Sequence, residues 1–386
     1  MPKLSAIEFF SPTRIYFGAD VINRIGEDLI EVTDKVFIVT DGESMRHAGH
    51  LDKLETLLEK SGVEFVIYDT IPRDPANEII DEVGTLIRQS RVKIVIALGG
   101  RSVINSAKAA AYLAKNEGSI TDYLNGREGL DEAVSVITIP TIPGIVESIS
   151  SEFVLKDSKD KVKKYYQNKS LYPYACYLDP SLTLSLPLNY TVGSGFAVLA
   201  LAIESYISSA ANTISDSLAI HAIEILGKTL KPLFLNKEDV SLRSSVLMAS
   251  LLTSLALLTS SPGICHALAL ALSGKTNAYQ NIMYAVILPH VMEFNLTAVP
   301  NKYVQIARAL GEDISNITVV EAAIKAIEGV RKLLFDLKIP QRLSEYDIKK
   351  EDLPLVSGLA RRYKFLSYTP SPITREDMLN ILMTAY

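Results

Sequence analysis

"IVIALGGRSVINSAKAAA", Ile94 to Ala111, passes from a β-branched apolar run through a glycine pair into a helical pattern. A strand that empties into glycine and then a helix leaves free N–H groups and a partial positive charge at the helix start, where a phosphate can sit. Gly99 and Gly100 let the backbone approach such a ligand closely, and Ser102 is placed to cap the helix. Arg101 either adds a charge-assisted bond or fills the space that a phosphate needs. A tight strand–helix turn without a ligand explains the same residues, because short glycine motifs are weak evidence.

The flanking sequence repeats the alternation. "KVFIVT" (35–40), "VEFVIY" (63–68), "VKIVIALGG" (92–100), "AVSVITIP" (133–140) and "ACYLDP" (175–180) read as buried strands. Helical patterns at 49–62 and 77–90 separate the early ones, which predicts a parallel sheet covered on both faces. Ligands of such sheets bind beyond the carboxyl ends of the strands. Asp41, just past the end of "KVFIVT", can accept both ribose hydroxyls of an adenosine and would repel a 2′-phosphate, which favours NAD over NADP. It can equally cap the next helix.

After Asp179-Pro180 the texture becomes helical, as in "GFAVLALAIESYISSAAN" (195–212) and "SDSLAIHAIEILGKTL" (215–230). The expected organisation is an α/β domain over 1–180 and an all-helical domain over 181–386, and 386 residues suffice for a core in each. A net charge of −5 with no long basic run argues against nucleic acid as the target. The stretch Val246 to Ile264 is long enough to span a membrane but carries several hydroxyls and ends in Pro262-Gly263, so it reads as a helix buried among helices. No secretory signal pattern opens the chain, and Cys176 and Cys265 lie far apart without a CxxC spacing, which points to the cytoplasm.

"FFSPTRIYFGAD", "FIVTDG", "ALGGRSVINSAKA", "TIPTIPG", "YLDPSLTLSLP", "AIESYISSAAN" and "VILPHVMEFN" follow one another over nearly the whole chain. In that order they resemble the iron-dependent (group III) alcohol dehydrogenases, whose relatives include glycerol dehydrogenase and dehydroquinate synthase. The resemblance implies a Rossmann-like dinucleotide-binding domain followed by a helical domain, a small-molecule substrate, NAD-linked alcohol/aldehyde interconversion and homo-oligomers. In the family's phosphate motif, GGGSxxDxxK, Gly99, Gly100, Ser102 and Lys108 match, while Arg101 and Asn105 replace a glycine and an aspartate. In PTTxGTGSE, Thr141 and Gly144 match, and the "GTGSE" element has become "GIVES". A cofactor set of Asp41, Gly99, Gly100, Arg101, Ser102 and Thr141 follows.

The family's metal is held by an Asp and a His four apart on one helix and by two further histidines. Those positions fall on Ala197, Leu201, His266 and Gln280, so His266 is the remnant ligand and no catalytic metal is expected. A hydrogen-bonded structural histidine near a helix start is the plainer reading of His266; His290 reads as bonding backbone, and His221 as a core-edge residue. Glu43, His47 and His50 have spacings that fit one solvated helix face. Lys275, Asn277 and Gln280 are candidates for a polar cluster in the metal's place. Lys275 and Lys163 are the candidates for a non-metal electrophile. Two functions remain from these residues: an oxidoreductase with lost or altered metal-dependent activity, or a non-catalytic homologue that binds a nucleotide or small ligand or serves as an assembly subunit.

Overall fold

The computed structural model describes residues 6–276 and 279–386, and Asn277 therefore lies outside the described residues. The chain divides into two compact units, Ser11–Leu186 and Pro187–Tyr386, the latter taking in the described residues before Ser11. The texture change at residue 180 precedes the structural division because "DPSLTLSLP" is still tied to the sheet. Asp179 accepts the N–H groups of Asp20 at 3.0 Å, Ile22 at 3.4 Å and Ser181 at 2.9 Å.

In the first unit the strands are β1 (Arg14–Phe17), β2 (Lys35–Val39), β3 (Glu64–Tyr68), β4 (Ile94–Gly99), β5 (Ser135–Pro140), β6 (Glu152–Lys156), β7 (Lys163–Gln167) and β8 (Ala175–Leu178). The helices are α1 (Ile25–Ile30), α2 (Glu43–His47), α3 (His50–Lys60), α4 (Asn77–Ser90), α5 (Arg101–Leu113) and α6 (Ile120–Leu124). Six strands form one parallel sheet in the order β1-β8-β5-β4-β2-β3, and β6 and β7 form an antiparallel hairpin. Every residue of β4 is buried, as its unbroken apolar run requires. Ile94, Ile96 and Leu98 join Val36, Ile38, Ile137 and Ile139 in one core, each such side chain contributing about 1.5–3 kcal/mol by leaving water. Glu43 and His47 lie on α2 and His50 on α3, with Gly49 at φ 72° between, so the three do not share a helix. His50 Nε2 instead meets Ser185 Oγ at 3.0 Å.

The second unit comprises α7 (Leu188–Ile207), α8 (Thr213–Leu235), α9 (Val240–Leu257), α10 (Ile264–Lys275), α11 (Gln280–Asn295), α12 (Pro300–Ala309), α13 (Val319–Asp336), α14 (Leu353–Ala360) and α15 (Arg375–Thr384). Among the described residues α7 and α9 are long and apolar enough to cross a membrane by length and composition. The apolar window of α7 is 94% buried within the protein, which accounts for its composition. Val246 to Ile264 is not one helix: α9 ends at Leu257, and α10 begins at Ile264 after Pro262-Gly263. His221 stands exposed on α8 beside Glu224 rather than at the edge of the core.

Candidate functional site

The sheet order brings Asp41 and the glycine turn together. The connection from β2 runs to β3 on one side and that from β4 runs to β5 on the other, so the carboxyl ends of β2 and β4 flank the switch point of the sheet. Gly99 ends β4 at φ 150°, a region L side chains rarely adopt, and a Cβ there would press on Val103 at 3.0 Å. Gly100, rather than Ser102, is the N-cap of α5. Ser102 sits inside the first turn, and its Oγ accepts the Asp74 N–H at 3.2 Å. Thr141 N–H donates to the Gly99 carbonyl at 3.1 Å, which stitches the turn to the end of β5. A Cβ on Gly100 would meet nothing nearer than Ile142 at 3.7 Å, so the backbone of this turn suits the close approach of a diphosphate.

Arg101, Asn105 and Lys108 lie at i, i+4 and i+7, on one face of α5, and all three grip the segment after β5. Arg101 Nη1 donates to both Glu147 oxygens, at 3.0 and 3.2 Å, and Nη2 donates to the Gly144 carbonyl at 2.5 Å. Asn105 donates to the Arg101 carbonyl at 3.0 Å and accepts the Val154 N–H at 2.8 Å. Lys108 is fully buried and donates to the carbonyls of Glu147, Ser150 and Glu152. Burial pulls its ammonium well below the usual lysine range, opposed by the Glu152 and Glu147 carboxylates.

Asp41 receives the Ser44 hydroxyl at 2.6 Å and the Met45 N–H at 3.3 Å, so it braces the start of α2. Its two oxygens retain lone pairs that could take ribose hydroxyls. Lys163, at the start of β7, is buried against Asp74 at 3.3 Å. Burial lowers its pKa, with Asp74 opposing and Arg101 and Arg73 adding to the lowering. A lysine already paired in this way answers Asp74 before it can polarise a substrate.

In the helical unit, Ala197 and Leu201 on α7 are buried and offer no ligand atom. His266, on the first turn of α10, presents Nδ1 to the Tyr284 hydroxyl in a very short contact, and Gln280 Nε2 donates to the same hydroxyl at 3.4 Å. The His266 ring also packs 5.0 Å from Phe365. A catalytic divalent ion needs about three protein ligands. Two apolar side chains, a neutral amide and an engaged imidazole do not supply them. Among the described residues no group of three or more His, Cys, Asp or Glu could hold a metal.

Glu204, the lone charge on α7, accepts the N–H groups of Gly263 at 3.1 Å, Cys265 at 2.5 Å and His266 at 3.0 Å, and so closes the amino end of α10. Burial pushes its carboxyl up to about 7 against the pull of those bonds. Lys275 ends α10, half-buried. His290 does not bond backbone: its Nδ1 has no hydrogen-bond partner, and the Glu293 carboxylate stands 3.7 Å away. Reading the sequence alone passes over Glu147, Glu204 and Tyr284. Glu204 is the lone acid of an apolar stretch, which is the signal that could have found it.

A parallel sheet with a glycine turn at its switch point, followed by a helical unit, defines a class of proteins with a Rossmann-like sheet unit and a helical unit. Residues 12–180 match the model of the iron-containing alcohol dehydrogenases, and residues 191–386 match the C-terminal model of the Fe-containing alcohol dehydrogenase family. The chain belongs to the iron-containing alcohol dehydrogenase family. It is 28% identical to the 1,3-propanediol dehydrogenase of Citrobacter freundii over 98% of both chains. It is 27% identical to the NAD-dependent methanol dehydrogenase of Bacillus methanolicus, over 98% of this chain and 99% of that one. A solved 1,3-propanediol oxidoreductase superposes with a TM-score of 0.94 at 28% identity, covering 99% of this chain and 100% of its own.

Proposed function

We propose that this protein is an NAD-linked oxidoreductase of its family in which metal-assisted activity has been lost or altered. The observation that carries the reading is the donor set: the four positions implied as ligands hold Ala197, Leu201, His266 and Gln280, and His266 is joined to Tyr284. In metal-dependent members an ion stabilises the alkoxide from which hydride leaves. Nothing in this set replaces that charge. NAD, when bound, supplies the hydride acceptor, and Gly99, Gly100, Ser102, Thr141 and Asp41 are the residues that would hold it. The NAD dependence of the Bacillus methanolicus relative supports that choice.

The alternative is a non-catalytic homologue, a nucleotide or small-ligand binder or an assembly subunit. The Glu147 carboxylate beside the phosphate turn favours it, because it opposes a second anion there. A homo-oligomer in the cytoplasm is the setting proposed for either.

Metal analysis after growth with iron and zinc tests the reading. Wild type is expected to retain no ion above background. The combined substitution Ala197→Asp, Leu201→His and Gln280→His is the positive control and is expected to retain about one ion per chain. One tightly bound ion per wild-type chain would overturn the reading. Turnover of aldehydes by NADH in the metal-free protein separates the oxidoreductase from the non-catalytic alternative.

A further inference from the structure

The phosphate turn and the loop after β5 are tied to each other by an ion pair. At the first position of α5 stands Arg101, and facing it is Glu147, whose side chain is only 4% exposed. Both carboxylate oxygens lie within hydrogen-bond distance of one guanidinium nitrogen, and the other nitrogen donates to the Gly144 carbonyl. The nearer oxygen also lies 3.5 Å from Asn105 Nδ2, so the carboxylate rests along the flank of the first turn of α5. Lys108 fixes the main chain of Glu147 from below at 2.7 Å. A negative charge in this place is favoured by the helix dipole and by the guanidinium. Those two features would otherwise recruit an external anion.

We infer that Glu147 is an internal anion which occupies the charge-binding capacity of the α5 amino end and keeps Arg101 from an incoming diphosphate. Glu147 thereby acts as a built-in competitor: a diphosphate must meet a like charge and a guanidinium already engaged. Arg101 is both the residue locked and the residue that would hold the ligand once released. The inference rests on the preceding reading only in taking the turn as a diphosphate site. It asks nothing of the metal positions.

The test uses the full chain and ADP-ribose as the diphosphate probe, with adenosine as the uncharged control, titrated calorimetrically at low salt. Glu147→Gln keeps the side-chain shape and removes the charge. It is expected to bind ADP-ribose at least about tenfold more tightly than wild type, with adenosine affinity unchanged. The double variant Arg101→Gln/Glu147→Gln is expected to fall back to within about threefold of wild type, because the released guanidinium is gone. Raising the salt concentration should shrink the gain. Should thermal melting show that Glu147→Gln does not fold, Glu147→Ser carries the same expectation.

Equal ADP-ribose affinity in wild type and Glu147→Gln, or no binding by either, overturns the inference. A double variant as tight as Glu147→Gln overturns the part assigned to Arg101. Discovery of a stoichiometric metal would overturn the preceding reading and leave this one standing.

Discussion

Arg101, Asn105 and Lys108 share one face of α5, and their partners determine what the glycine turn can do. Two of them depart from the family's phosphate motif: Arg101 is satisfied by the loop after β5, and Asn105 by the Val154 N–H of β6. Lys108 keeps its identity and fastens three carbonyls of that loop and its continuation. Lys108→Met would leave those buried acceptors without a donor. An unsatisfied buried acceptor costs on the order of 1–3 kcal/mol, so a loss of about 3 kcal/mol is expected in urea unfolding. A loss below about 1 kcal/mol would show that water enters and takes over the bonds. The glycine pair and Lys108 are legible as sequence, but the partner of Arg101 is not. Glu147 lies far along the chain, and no local periodicity points to it.

At the scale of elements, helices and strands with a long, regular apolar pattern were readable: α4 spans Asn77–Ser90, as its periodicity predicts. The short edge strand β1 and the β6–β7 hairpin were not, because "KKYYQ" and "RIYF" lack an apolar alternation and are held by pairing. The hairpin turn depends on Asp157, whose carboxylate accepts the Lys159 N–H at 2.8 Å and pairs with Lys164 at 2.8 Å. Burial raises its pKa, but the Lys164 and backbone bonds outweigh that and hold it below the usual carboxylate range. A depressed carboxylate stabilises the fold above its unfolded pKa, and that contribution is lost as pH falls through the folded value. Asp157→Asn is therefore expected to cost about 1 kcal/mol near neutral pH. The gap from wild type should narrow on acidification below about pH 4, in denaturation curves measured across that range. A gap that stays constant would show that the ionised form contributes nothing.

At the scale of the whole molecule, each unit has an apolar interior of its own, and the sheet unit closes its core with residues from Ile22 to Leu182. Residues 11–186 expressed alone are expected to unfold cooperatively in urea, followed by circular dichroism. A broad, non-cooperative loss of signal would show that the core needs the rest of the chain. Composition and period sufficed for the order of the two architectures, since apolar spacing is a local property that survives without an alignment of contacts. The motifs sufficed for the family, since their identity and order along the chain are properties of the sequence itself. The chemistry at the starts of α5 and α10 was decided by tertiary structure alone. Glu147 at α5 and Glu204 at α10 reach their N–H and guanidinium partners across more than forty residues of chain. Only folding brings such charges within the few ångströms at which electrostatic attraction outweighs the cost of removing them from water.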